Sequence, residues 1–538
     1  MTSFDTIIVG GGHNGLACAA YLSRAGQKVL VLERRPVLGG AAVTQELAPG
    51  YRASTCSYLI SLLLPEVERE LELARYGYKV LPRNPSSFTP LEDGRSLLMG
   101  PDAELNHREI SKFSARDAEA YPRYEALLTR IAECIEPLMA APPPDLLPLP
   151  AAWRRRGLRA QIRDWFSGYG AYRALRSLGP DIPEAIEILT GAARPILDRW
   201  FESDALKATL ATDAVIGTFA PISAPGTAYV LLHHVMGTAG GARGVWGYVE
   251  GGMGAVSEAI AASARAAGAE LRCGVEVAAI ETAGARATGV RLADGTVIRA
   301  RTVVSNATPD ITFRKLLPAG SLPAGFQAAV ERIDYSSASL KINLAVRELP
   351  DFTCLPGRAE PGPQHRGTIH IGASLELLER AYEEARTGRP SARPIVEMTI
   401  PTSVDHTLAP AGHHIVNLFV QYAPYRLAAG HWDSLGESFA DRCIAEVNRY
   451  APNFSASILH REVLTPLDLE REYGLTGGNI FHGSMSLHQL FGFRPVPGWS
   501  DYRTPLPGLY LCGAGTHPGG GVTGAPGRNA ARAVLRDC

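Results

Sequence analysis

The stretch that most constrains the fold is the start of the chain, DTIIVGGGHNGLACAAYLSRAGQKVLVLERRPVLGG. Ile7-Ile8-Val9 reads as a buried strand. Gly10-Gly11-Gly12-His13-Asn14-Gly15 supplies the spacing G-x-G-x-x-G, and a helix follows with small or apolar residues at Leu16, Ala19, Ala20 and Leu22. Gly26 ends that helix, Val29-Leu30-Val31-Leu32 is a second buried strand, and Glu33 closes it 18 positions beyond Gly15. This order is a dinucleotide-binding βαβ unit. Gly10 permits the turn, Gly12 lets a diphosphate approach the backbone, and Gly15 lets helix and strand pack closely. The helix N-terminus carries unpaired N–H groups and partial positive charge, which suits the diphosphate. Glu33 accepts from ribose hydroxyls and repels a 2′-phosphate.

The glycine pair Gly39-Gly40 follows the ribose acid and favours FAD over NAD, because it lets the chain return close to the cofactor. At 538 residues the chain is long for one core, so two domains are expected. The formal net charge of −1 lacks the basic excess of a general nucleic-acid binder. The eight cysteines form no CxxC pair and no metal-ligand spacing, so free thiols, a reducing compartment and no bound metal are expected. Met1 leads almost directly into the first strand, so a cytosolic location is expected.

Further along, residues 41–56 lead the chain over the cofactor and out of the first domain. Residues 66–240 read as mainly helical, with Ser114 capping a helix that runs past Tyr124 to about Leu138. The run APPPDLLPLPAAW (141–153) is too rich in proline for a helix. It is an exposed connector or, since Leu146, Leu147, Leu149 and Trp153 punctuate it, a lid or membrane-touching edge by which apolar substrate enters; the basic run 154–156 is a solvated face or suits an anionic surface. Residues 244–306 read as a return to the cofactor domain, with a helix from Ala255 to Ala267 and a hairpin closed by Asp294-Gly295. Ser339 to Val346 alternates as a half-buried strand does, with 396–400 and 415–420 as partners and a helix from Leu435 to Tyr450. In the tail, Leu509 to Cys512 reads as a strand, Gly513-Ala514-Gly515 as a close-approach turn, and Val522 as the opening of the last helix.

These stretches carry a family resemblance. GGGHNGLACAAYL, ERRPVLGGAAVT, SYLISLL, RNPSSFTPL, GLTGGNIFHGSMSLHQLFGFRP and the tail from Gly508 resemble the phytoene-desaturase-type branch of FAD-dependent oxidoreductases. Within it the similarity is strongest to the pyridine nucleotide-disulfide oxidoreductase domain-containing protein 2 group. The resemblance implies an α/β fold with two parts. One is a discontinuous Rossmann-like, glutathione-reductase-like FAD domain (1–56, 244–309, 476–538). The other is a mixed-sheet and helical substrate domain (57–243, 310–475). It places Gly10, Gly12, Gly15, Glu33, Gly39, Gly40, Val277, Gly513, Ala514, Gly515 and Val522 at the FAD. His13, Asn14, Arg34 and Ala41, set among them, complete the expected binding set. Ala41 stands where desaturases often have Arg, so how the diphosphate is neutralised stays open. Despite the group's name, there is no redox cysteine pair and no second G-x-G-x-x-G with an acid to hold NAD(P)H.

The expected activity is dehydrogenation: a hydride leaves a C–H bond of an apolar or partly apolar organic substrate for flavin N5, and oxygen or a quinone removes the electrons. A flavin-dependent isomerase or saturase, an FAD-fold escort protein without turnover, and an amine oxidase are the alternatives. His517, His482 and Arg494 are the candidate catalytic residues, each with a structural role as its rival.

Overall fold

The computed structural model describes residues 4–145, 158–239 and 242–538. Leu146, Leu147, Leu149, Trp153 and the basic run 154–156, on which the connector-or-membrane-edge expectation rests, lie outside the described residues.

Two seven-stranded sheets organise the chain. In the first, Glu270–Arg272, Val29–Leu32, Phe4–Val9, Val297–Ser305 and Leu509–Leu511 run parallel in that order. Strands from the start, middle and end of the sequence therefore meet in one sheet. The N-terminal half of Val297–Ser305 branches away to pair antiparallel with Arg286–Leu292, which pairs with Val277–Ala283. Both faces of the central strands are covered, which is why Ile7-Ile8-Val9, Val29–Leu32 and Leu509–Leu511 read as continuous apolar runs. Ile8, Val31 and Val304 pack under the helices His13–Arg24, Gly254–Ala266 and Ala525–Asp537, while Ile7, Leu30 and Val303 pack with Val290, Phe313 and Trp499 on the other side.

The second sheet has the order Ile458–Leu464, Ser339–Val346, His414–Gln421, Ile395–Thr399, Thr368–Ile371, Ser87–Pro90, Ser96–Met99. All neighbours are antiparallel except Thr368–Ile371 beside Ser87–Pro90. The stretch 66–240 is mainly helical, as expected, but it also supplies the last two strands of this sheet; each is four residues long, too short for an alternation to show. Ser339–Val346 is buried along its whole length rather than half-buried. Leu340, Ile342 and Leu344 pack under the helix Trp432–Asn448, and the face carrying Ser339 and Lys341 looks into a cavity instead of bulk water.

The long helix starts where expected. Ser114 Oγ accepts from Asp117 N–H at 3.1 Å, and the helix runs Ala115–Ala140. The last helix opens later than expected, at Ala525. Val522 sits at φ 58°, a left-handed conformation that a β-branched residue cannot carry into a helix.

Candidate functional site

A cavity of about 750 Å³ runs from the first βαβ unit to the second sheet. Gly10, Gly12, His13, Asn14, Glu33, Arg34, Gly39, Gly40, Ala41, Val277, Ala514 and Val522 all line it. At its first end, the N-terminal turn of His13–Arg24 has no side-chain cap and no acidic residue, so its N–H groups and dipole are left for an anion. Glu33 is held in place from two sides. Its Oε2 accepts from Gly11 N–H at 2.7 Å and its Oε1 from Arg35 N–H at 2.9 Å. The glycine pair folds back beside this loop, with Gly39 N–H donating to Gly11 O at 2.9 Å. A Cβ on Gly12 would come within 2.7 Å of Asn306 Nδ2, and one on Gly15 within 2.3 Å of Gly10 O. The first would fill the groove and the second would push helix from strand. Asn14 Oδ1 is buried at the groove with no partner. These features fit an adenine-dinucleotide flavin. Arg34, Arg35, Lys315 and Arg471 are cations lining this part, which offers an answer to the missing arginine at Ala41. Arg35 reaches Gly40 O at 3.3 Å and lies 4.3 Å from the Tyr473 ring centroid. At the Val277 end, the ladder slips between Val277 and Ala279, which takes Ala278 out of the strand pairing beside the cavity.

Other expected residues sit differently. Gly15, Gly513 and Gly515 do not line the cavity. A Cβ on Gly513 would meet Asn306 O at 2.6 Å and one on Gly515 would meet Pro309 Cδ at 2.4 Å, so the close approach there is of chain to chain. His517 and Arg494 are also outside the cavity wall. His517 Nε2 is 3.1 Å from Leu138 O, and burial pulls the ring down to about 4. Arg494 is 2% exposed and donates to the carbonyls of Phe481, Gly483, Ser484, Gln489 and Ala514. It ties the 481–489 loop to the Gly513–Gly515 turn, a role that its position in a proline-rich loop did not signal. His482 does line the cavity. Burial, with the charges of Arg494 and His13, pulls it to about 3, and its Nδ1 has no partner.

Sequence reasoning missed the far wall. Tyr58, Arg83, Asp213, Lys341, Thr368 and Glu397 line the same cavity. Lys341 is 2% exposed and its Nζ, 3.8 Å from the Tyr58 ring centroid, has no hydrogen-bond partner. Burial pulls its ammonium down to about 7. Tyr58 Oη donates to Glu397 Oε2 at 2.9 Å. Burial, reinforced by the Asp213 charge, pushes Glu397 up to about 8, and burial pushes Asp213 to about 7. Arg83 donates to Trp246 O and, at 2.8 Å, to Thr368 Oγ1. Phe419, Ile216, Leu59, Ile480 and Phe481 complete an apolar chamber between this wall and the Gly520–Val522 turn. Among the described residues no group of acids, histidines and cysteines could hold a metal ion, and all eight cysteines are free thiols.

The family model for flavin containing amine oxidoreductases matches residues 15–371. "Pyridine nucleotide-disulfide oxidoreductase domain-containing protein 2" of Rattus norvegicus is 49% identical, over 99% of this chain and 94% of its own. Hydroxyneurosporene desaturase of Cereibacter sphaeroides is 28% identical, over 99% of this chain and 97% of its own. A putrescine oxidase triple mutant shares the fold with a TM-score of 0.61 at 17% identity, over 100% of this chain and 99% of its own. The chain therefore belongs to the flavin-containing amine oxidoreductase family, in the pyridine nucleotide-disulfide oxidoreductase domain-containing protein 2 group, and its cofactor is FAD.

Proposed function

We propose that the protein is an FAD-dependent dehydrogenase or desaturase that forms a double bond in a partly apolar organic substrate, with oxygen or a quinone as the final acceptor. We assign FAD to the groove at Gly10–Gly15, Glu33 and Gly39–Ala41 and to the turns at Ala514 and Val522, and the substrate to the chamber beyond. The observation that carries this reading is the continuity of the cavity from the dinucleotide groove to a wall bearing a buried lysine that has no hydrogen-bond partner. When bound, FAD supplies a two-electron acceptor whose N5 takes a hydride. The chain's task is then to exclude water, align the C–H bond and accept the proton. The apolar lining does the first. Lys341 Nζ, close to neutrality and without a hydrogen-bond partner, is the group best suited to take the proton, with the Glu397 carboxyl in the same wall. His517 and Arg494 are left with structural work.

The polar wall favours a substrate with one oxygen- or nitrogen-bearing end over a pure hydrocarbon. Asp213 and Glu397 in that wall support amine oxidation to a C=N bond as a second reading, which peroxide release with amines would separate from the first. The test is anaerobic mixing of the FAD-loaded protein with a long-chain unsaturated alcohol, the matching amine and the matching hydrocarbon. Bleaching of the flavin by the alcohol or amine but not the hydrocarbon is expected. Lys341→Met should slow that bleaching by roughly 10²–10⁴-fold while dithionite still reduces the flavin. Bleaching by the hydrocarbon alone, or an unchanged rate in Lys341→Met, would overturn the assignment.

A further inference from the structure

The helix Leu158–Ser177 stands apart from the rest of the surface. Asp164 and Leu178 are buried and Ala174 packs against the helical core, which defines its inward side. On the outward side, Ile162, Trp165, Phe166, Tyr169 and Tyr172 are exposed by 48%, 63%, 62%, 52% and 57%. Their spacing places them along one stripe of the helix. Their rings pack on one another along it, Trp165 stacking on Tyr169 at 6.2 Å and Tyr169 meeting Tyr172 at 6.4 Å. No described part of the chain covers them. Ile186, on the next helix Ile182–Thr190, is also exposed, by 57%. An uncovered aromatic stripe of this length is not an ordinary feature of a protein surface.

The charge of the helix says what covers it. Its sequence, LRAQIRDWFSGYGAYRALRS, has four arginines and one acid. The acid is Asp164, which is turned inward, whereas Arg173 and Arg176 are exposed. The chain as a whole is balanced, with 53 basic and 54 acidic residues, so the excess is local. Gly168 and Gly170 further weaken the helix in water, by about 1 kcal/mol each, and a Cβ on Gly170 would meet nothing within 4 Å, so packing does not demand that glycine. Trp and Tyr rings, a cationic edge and a helix of poor intrinsic stability together describe an interfacial helix. None of the helices among the described residues is long and apolar enough to cross a membrane, so the element lies on a bilayer rather than through it.

We infer that Leu158–Ser177 docks on an anionic phospholipid bilayer, with Trp165, Phe166, Tyr169 and Tyr172 in the headgroup region and Arg173 and Arg176 against lipid phosphates. The inference does not depend on the proposed redox chemistry. It is tested with the full-length FAD-loaded protein and extruded vesicles of phosphatidylcholine alone or mixed equally with phosphatidylglycerol. Co-sedimentation with the mixed vesicles, weakened by high salt and roughly 30-fold lower for Arg173→Gln/Arg176→Gln, is expected. The mixed vesicles should also blue-shift tryptophan emission in the wild type and not in Trp165→Phe. Replacing the four aromatic residues by Ser should abolish sedimentation and leave the bound-flavin spectrum unchanged. A wild type that stays in the supernatant, or that binds both vesicle types equally regardless of salt, refutes the inference. So does light scattering that shows a dimer which the Ser variant turns into monomer, because the stripe is then a contact between copies.

Discussion

Arg494 offers a direct trial of the reasoning, because its position in sequence suggested chemistry and its surroundings suggest architecture. Its guanidinium is buried and faces five backbone carbonyls, from Phe481, Gly483, Ser484, Gln489 and Ala514. A lysine has three hydrogens at one point and satisfies at most three of them. Each buried carbonyl left without a donor costs about 1–3 kcal/mol. Arg494→Lys should therefore lose roughly 4 kcal/mol, a large part of the 5–15 kcal/mol typical of a folded domain. Arg494→Met removes every donor and should cost more. Because Ala514 lines the cavity, the loosened turn should also weaken FAD. The assay is heating of the FAD-loaded variants while flavin fluorescence reports release, paired with FAD titration of the apoproteins. Release at clearly lower temperature and weaker binding are expected. A variant that melts and binds FAD as the wild type does, yet has lost turnover, would refute the tie and return Arg494 to the chemistry.

The two glycines of the first loop should fail in different ways. In Gly15→Ala the new Cβ meets the backbone oxygen of Gly10, and chemical denaturation should show a loss of about 1–3 kcal/mol or more together with weaker FAD. In Gly12→Ala it meets only the tip of the Asn306 side chain, so apoprotein stability should hold while FAD titration shows the loss. The raised acid in the far wall predicts a pH signature. Glu397 stays protonated in the fold up to about 8 but ionises near 4.5 when unfolded, so the folded state binds more protons between those values and its stability falls as pH rises through them. Glu397→Gln keeps an acceptor for Tyr58 and removes the titration. The stability advantage of this variant should therefore grow from pH 4.5 to 8 in denaturation curves, and a constant difference across that range would contradict the buried-acid description.

Some of this molecule is written locally. The order of strand, G-x-G-x-x-G, helix, strand and Glu33 depends on neighbours within a few turns, so the sequence by itself determined the βαβ unit, the class of cofactor it suits and the return of the tail to the same sheet. Ser114 announced its helix for the same reason, since a cap acts on N–H groups two or three residues away. Other features have no local signature. Arg83, Asp213, Lys341 and Glu397 are far apart in sequence, and polar residues alternating along a strand look the same whether they face water or a cavity. Only the placement of the second sheet behind the dinucleotide groove decided that Lys341 is buried without a partner. The same holds for His517 and Arg494, whose roles depend on carbonyls brought to them by distant turns. Local rules set backbone conformation and cofactor cradle. Desolvation, which sets the protonation of the far wall and thus its chemistry, is a property of what surrounds a side chain in space, and only the tertiary structure decided it.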